Sequence, residues 1–217
     1  MSKSLETRAQ ILEVALRSFR DRGYAKTTMR QIANEADVAL GNAYYYFPSK
    51  GHLIQELYAT VVAEQADRAT QALAQHRRLA DRIAAAWHAA IDASEPYHSF
   101  GAEFISEAIR PSSPSSPFSD ESHGARGASQ DVYQEVVAGA HPAVPGRLRA
   151  DLPLLLWFAQ LGIEIFWVYD SSADRRRTRA LVAGAAPLVA SLVSLARLPV
   201  ARGIVDEALA LLHRVRS

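Results

Sequence analysis

Apolar side chains recur at helical spacing along most of the chain. Ile11, Ala15 and Phe19 repeat at i, i+4 and i+8, with Leu12 and Leu16 beside them. That is the buried stripe of an amphipathic helix. It predicts a first helix from near Ser4 to Gly23, a natural residue to end on. Thr28 and Gln31 match the capping box S/T-x-x-E/Q and open a short helix. Met29, Ile32, Ala33 and Ala36 share one face of it, and Asp37-Val38 interrupts it. A second short segment, apolar and aromatic, runs from Leu40 to Phe47. Pro48 stops it, and Ser49 can cap a long helix with Leu53, Leu57, Val61 and Ala72 facing inward. Further helices are expected over roughly 79–93, 98–110, 121–139, 152–170, 175–196 and 200–214. Pro111–Ser119 (PSSPSSPFS) reads as a loop, His141–Gly146 as a break with two prolines, and Pro199 as a separator. No stretch alternates with period two long enough to make a strand, so the predicted fold class is all-α.

Composition narrows the function. The chain has 217 residues, 49% apolar and 22% charged, which excludes a disordered chain. Cysteine is absent, so disulfides, thiolate metal sites and cysteine nucleophiles are excluded. The seven histidines are scattered without an HxxxH pair, so no metal site is expected. There is no GxGxxG, P-loop or GxSxG pattern, and no cofactor or enzymatic activity is expected. The polar start, MSKSLETRAQ, does not fit a secretory signal. Leu152–Val168, interrupted by Pro153, Gln160 and Glu164, falls short of the roughly 18 uncharged residues of a membrane span. A cytoplasmic protein without a membrane partner is expected. The net charge of +1 argues against a nucleic-acid binder until it is placed along the chain. Residues 1–50 carry eight basic and five acidic side chains, a balance of +3, against −2 over the remainder.

Three helices with a tight turn between the second and third make a helix-turn-helix, whose third helix enters the major groove. The segment Thr7–Leu53 resembles the N-terminal domain of TetR-family (tetracycline-repressor-like) transcription regulators, over about a fifth of the chain. The resemblance is carried by Phe19, Gly23-Tyr24, Thr27-Thr28, Ile32-Ala33, Val38, Ala43-Tyr44, Tyr46-Phe47 and Ser49-Lys50. This chain departs from the pattern at the turn, where Asp37 replaces glycine, and at the cap of the third helix, where Ala39 replaces serine. Leu40 and Asn42 stand where a basic residue and threonine are usual, and Gly51-His52 follows Lys50 in place of glutamate.

The resemblance implies a DNA-binding domain over residues 1–50 and a helical ligand-binding and dimerisation domain over 51–217. The implied partners are a double-stranded, palindromic DNA operator, a small-molecule effector and a second copy of the chain. Arg30 would read guanine, Asn42 adenine and Leu40 a thymine methyl group. Thr28, Tyr44, Tyr46 and Lys50 would take phosphates, Tyr45 either kind of contact, and Gly41 would give clearance. Tyr46 fits the head core equally well, and Phe47 reads as core.

In the second part, large apolar residues with polar ones beside them mark effector candidates. These are Trp87, Phe100, Phe104, Tyr133, Trp157, Gln160 and Glu164, with Trp167, Tyr97 and Phe158 nearby and Glu103 and Glu107 on one helix face. The same aromatics at helical spacing also read as plain core. Glu164, inside a very apolar helix, needs a partner from the protein or from a cationic ligand. Leu152–Val168 and Leu181–Leu195, with small residues Ala159, Gly162, Gly184, Ala185, Ala186 and Ala190, predict a four-helix dimer face. The run Arg175–Arg177 with Arg179 reads as a solvated helix start. The expected function is a ligand-responsive regulator, a repressor released from its operator by the effector. The competing reading is a helical small-molecule-binding or interaction protein with a weak or vestigial DNA head, resting on Ala39 and Leu40.

Overall fold

A computed structural model describes residues 3–216. Those residues form helices α1 (Lys3–Arg22), α2 (Met29–Glu35), α3 (Leu40–Tyr46), α4 (Lys50–Leu73), α5 (Leu79–Ser94), α6 (Gly101–Ala108), α7 (His123–Ala138), α8 (Gly146–Arg149), α9 (Leu152–Val168), α10 (Arg176–Leu195) and α11 (Arg202–Arg216). Among the described residues there is no strand, as the all-α reading expects. The single helix expected over 98–110 is instead a 3-10 stretch, Glu95–Phe100, followed by α6. Phe100, at φ −127° and ψ 18°, leaves the helical region there and is fully buried. The short α8 starts at the last residue of the His141–Gly146 break and occupies a stretch where the periodicity predicts no helix.

The chain forms two compact units. One gathers the residues up to Glu64 with Ala93–Gly127; the other gathers Gln65–Asp92 with the chain from Ala128 onward. Residues 93–127 join the head because Phe100 is part of its core, with Tyr97 and Phe104 packed against it.

In the first unit, Ile11, Ala15 and Phe19 of α1 pack on Ile32 and Ala33 of α2, Ala43 of α3 and Leu53, Ile54 and Leu57 of α4. Phe19 meets Tyr24 and Phe100 edge-on, with ring centres 5.1 and 6.3 Å apart. Gly23, at φ +83°, ends α1 in the left-handed region that glycine enters freely. Polar contacts tie the helices together. Arg22 bonds Glu35 at 2.6 Å, Gln10 Nε2 donates to the Ala36 carbonyl at 3.1 Å, and Arg8 pairs with Glu56 while lying over the Phe47 ring. Pro111–Ser119 is a loop, as expected, but several of its serines are buried. Ser113, Ser115 and the nearby Ser122 are buried, and the Ser119 and Ser122 hydroxyls donate to the Pro114 carbonyl at 2.9 and 3.0 Å. The polar side chains thus satisfy a backbone that has no ladder of its own.

The second unit packs around Trp87, Tyr133, Trp157, Ile83, Val136 and Val182. Arg82 is 7% exposed and lies between helix ends. Its guanidinium donates to the carbonyls of Leu73 (2.8 Å) and His76 (2.8 Å) at the end of α4. It also donates to Glu135 (2.7 Å) and Val136 (3.0 Å) near the end of α7. Helix C-termini leave carbonyls unpaired, and a cation there also meets the negative end of the helix dipole. Residue 139 is glycine because a Cβ would lie 2.4 Å from this guanidinium.

At the start of α10, the Asp170 carboxylate accepts from Ser172 N and Oγ and from Thr178 N and Oγ1, all within 2.9 Å. Those bonds hold its pKa below the usual carboxylate range despite burial. Arg176 and Arg177 are exposed, in keeping with a solvated helix start, while Arg179 pairs with Asp92 at 2.7 Å. Along α9 and α10, Phe158, Ile165, Phe166, Leu188 and Leu192 are 41–61% exposed. The stretch Ala173–Leu195 is long and apolar enough to cross a membrane by composition, and only 22% of its apolar window is buried in the chain. Core and interface helices share that composition.

Replacing Arg82 by methionine is expected to destabilise the protein by about 2–4 kcal/mol, since four carbonyls, two of them buried, lose a charged donor at once. Urea unfolding of the two proteins measures this; a difference within 0.5 kcal/mol, the usual range of surface substitutions, would mean the clamp carries no load.

Candidate functional site

The head presents α2 and α3 across a short turn. Thr28 opens α2: its hydroxyl accepts from Gln31 N at 3.2 Å, while its own N–H donates to Gln31 Oε1 at 2.8 Å. Both halves of the expected capping box are present. Asp37 takes φ +50°, the left-handed conformation that aspartate tolerates better than most residues. The turn is closed by Val38 N donating to the Ala33 carbonyl at 3.0 Å. Ala39 gives α3 no side-chain cap, as its residue type dictates. Ala43 and Phe47 are buried and hold α3 to the core, so the opposite side of the helix is free.

On that free side stand Gly41, Asn42, Tyr44 and Tyr45, all exposed, with Tyr45 79% exposed. Arg30 is exposed on α2. The other candidates are less free. Thr28 is exposed but engaged by Gln31. Leu40 is half-buried against the head core. Tyr46 is half-buried, stacks edge-on to Tyr45 at 5.2 Å and donates its hydroxyl to Ser4 Oγ at 3.1 Å. Lys50 is folded back: its ammonium donates to the Tyr24 carbonyl at 2.7 Å and sits 4.3 Å from the Tyr24 ring centre. Burial pushes its pKa down, and the Glu107 carboxylate opposes that shift.

Sequence reasoning did not anticipate this last arrangement. Tyr24, Lys50, Glu107 and Arg110 form one cluster in the first unit. The Tyr24 hydroxyl is pushed up to about 12, first by burial and then by the Glu107 charge and a hydrogen bond to it. Glu107 also accepts from Ser113 Oγ at 3.1 Å and from Arg110 at 3.3 Å. Glu107 therefore faces the head, and the polar pair Glu103–Glu107 does not belong with the tryptophans. The same holds for Phe100 and Phe104, which pack in the head core, apart from Trp87 and Trp157. Their aromatic character was legible; the unit they join depends on the break at Phe100, which periodicity alone did not reveal.

In the second unit, Tyr133, Gln160 and Glu164 do come together. The Tyr133 hydroxyl donates to Gln160 Oε1, and Gln160 Nε2 donates to Glu164 Oε1 at 2.7 Å. Gln65 completes the cluster, donating to Gln160 Oε1 at 2.8 Å and accepting from Gln160 Nε2 at 3.2 Å. Gln65 is 1% exposed. Its signal was a polar residue on the apolar stripe between Val61 and Ala69. Among the described residues no cation pairs with Glu164, and burial raises its pKa to about 7, against the Gln160 hydrogen bond. Tyr133 is raised as well, mainly by burial. Trp87 and Trp157 are fully buried nearby in the core, Trp87 donating Nε1 to the Leu156 carbonyl at 3.3 Å.

Known proteins resemble both parts of this chain. The family model for bacterial regulatory proteins of the tetR family matches residues 11–57, and that for the tetracyclin repressor-like C-terminal domain matches residues 82–211. The transcriptional regulator TtgR of Pseudomonas putida is 50% identical over 52 residues, 24% of this chain and 25% of that protein. The probable acrEF/envCD operon repressor of Escherichia coli is 35% identical over 57 residues, 26% of each. The matched stretch thus spans about a quarter of the length of these relatives. A TetR regulator from Nitrosomonas europaea has the same fold, with a TM-score of 0.63 at 18% identity, over 84% of this chain and 97% of that one. With its head and most of its remaining helices matched by the family's models, the chain belongs to the TetR family of bacterial regulatory proteins.

Proposed function

We propose that this protein is a homodimeric transcription regulator that binds a palindromic operator through two helix-turn-helix heads and is released by a small-molecule effector. The observation that carries the reading is the side of α3 left free by Ala43 and Phe47, where Asn42, Tyr44 and Tyr45 stand exposed beside Arg30 of α2. A helix with one side in the core and polar, aromatic side chains on the other is what the major groove accepts. Arg30 and Asn42 are the base readers; Tyr44 and Tyr45 contact the phosphate backbone. The operon repressor among the relatives favours repression as the sign of regulation. The uncovered leucines and phenylalanines of α9 and α10 are the dimer face, since an apolar surface of that kind requires a partner.

The effector contacts are assigned to Tyr133, Gln160, Glu164 and Gln65, with Trp87 and Trp157 as apolar walls. A ligand releases DNA only if it binds the released state better than the DNA-bound one. The cluster suits that task because its groups can exchange partners among themselves when one is recruited by a ligand.

Selection of operator DNA from genomic fragments, followed by footprinting, tests the central reading; binding that is sequence-independent throughout would overturn it. Arg30→Ala is expected to lose about 1–3 kcal/mol on the selected operator and little on random DNA. Gly41→Ala separates fold from function. Nothing lies within 4 Å of a Cβ at residue 41, so thermal stability should hold or rise by up to about 1 kcal/mol. Operator affinity should fall, because the bare backbone is where DNA approaches.

The Glu164 carboxyl binds its proton more tightly in the folded protein than at its ordinary value of 4.5. The folded state therefore loses relative stability as pH rises from 4.5 to about 7, and the loss levels off above that. Glu164→Gln should remove this component. Melting curves at pH 5.5 and 8 should show the variant gaining on the parent at the higher pH, and an unchanged difference would contradict the assignment.

A further inference from the structure

The chain departs from its family's pattern at Gly51, and a distant segment explains the departure. A Cβ on residue 51 would meet Pro114 Cγ at 3.0 Å and Cδ at 3.2 Å. The Pro/Ser loop is thus seated on the first turn of α4. Gln55 Nε2, one turn on, donates to the Glu121 carbonyl at 3.2 Å. The hydroxyl of Ser113 anchors the start of the loop to Glu107. Arg110 lies between those anchors. It borders an open surface depression of about 480 Å³ that Tyr44 of α3 and Ser49 and Lys50 at the start of α4 also line.

The two cations of this depression differ in what they have left to offer. Lys50 has its ammonium on the Tyr24 carbonyl and ring. The Arg110 side chain is 67% exposed and makes a single hydrogen bond, to Glu107 at 3.3 Å, among the described residues. A guanidinium carries five donors in a planar fork that suits phosphate oxygens. Glu107 can hold one edge of that fork and leave the other directed outward. We propose that Arg110 is a DNA-phosphate contact, so that the DNA-binding surface extends beyond the helix-turn-helix to the end of α6 and is completed by the loop that packs on Gly51. This inference rests on the DNA-binding reading above and adds a residue from outside the first fifty.

Phosphate contacts are sequence-independent, so a random 30-base-pair duplex serves as the probe. Anisotropy titrations of the full-length protein across a series of NaCl concentrations give the slope of log K against log salt. Arg110→Gln is expected to reduce that slope by about 0.9 per head, while Arg110→Lys retains it. Arg177→Gln, which removes the same charge from an exposed site in the other compact unit, should leave it unchanged. Circular dichroism checks that each variant is folded. An Arg110→Gln slope equal to that of the parent overturns the proposal, and so does a loss shared by the lysine variant, which would assign the effect to packing. If the parent binds neither the random duplex nor any genomic fragment, the DNA-binding reading falls first and takes this inference with it.

Discussion

A single buried guanidinium closes two helices at once. Helices α4 and α7 both end in the second unit, and Arg82 supplies donors to carbonyls at both ends, those of Leu73 and Val136 being buried. Desolvation lowers its pKa, which records the cost of holding a cation there. The carbonyls return that cost because they are the negative ends of helix dipoles. Gly139 fits this arrangement, since a side chain there would have to displace the guanidinium from its carbonyls. The end of α4 is therefore fixed, and its beginning is fixed as well, by Lys50 on Tyr24, Glu56 on Arg8 and Pro114 on Gly51.

What could be read in advance was what short-range chemistry dictates. Thr28 with Gln31, the left-handed Asp37, the uncapped Ala39 and the buried Phe47 each depend on neighbours within a few residues, and each appears in the structure as the residue types require. The aromatic candidates of the second part did not sort in the same way. Phe100 and Phe104 have the same composition signature as Trp87 and Trp157, yet a departure from helical dihedrals at Phe100 places them in a different core. Contacts across a large sequence separation leave no periodic trace. Gln65 with Gln160, ninety-five positions apart, is such a pair, and so is Gly51 with Pro114.

The modest charge of the head takes on a sharper meaning beside these contacts. Of the basic residues in the first fifty, Arg8, Arg22 and Lys50 are occupied with carboxylates, a carbonyl or rings. The cations that remain exposed there, such as Arg30, are fewer than the sequence count suggests. A surface with few free charges relies on shape and on individually placed side chains more than on a diffuse field.

The seating of Pro114 on Gly51 bears on how such a protein can be recombined. Heads of this kind invite transplantation, with a cut made just after the helix-turn-helix so that one DNA specificity is joined to another sensor. In this chain that cut would separate Gly51 from the loop that fills its missing side chain, and Lys50 and Tyr24 from Glu107. A donor head with glutamate at the position of Gly51 would require Pro114 to give way by a few tenths of an ångström, and a donor body without the loop would leave the first turn of α4 uncovered. The portable piece is discontinuous, the head together with residues 93–127, and a working chimera has to inherit both parts from the same parent.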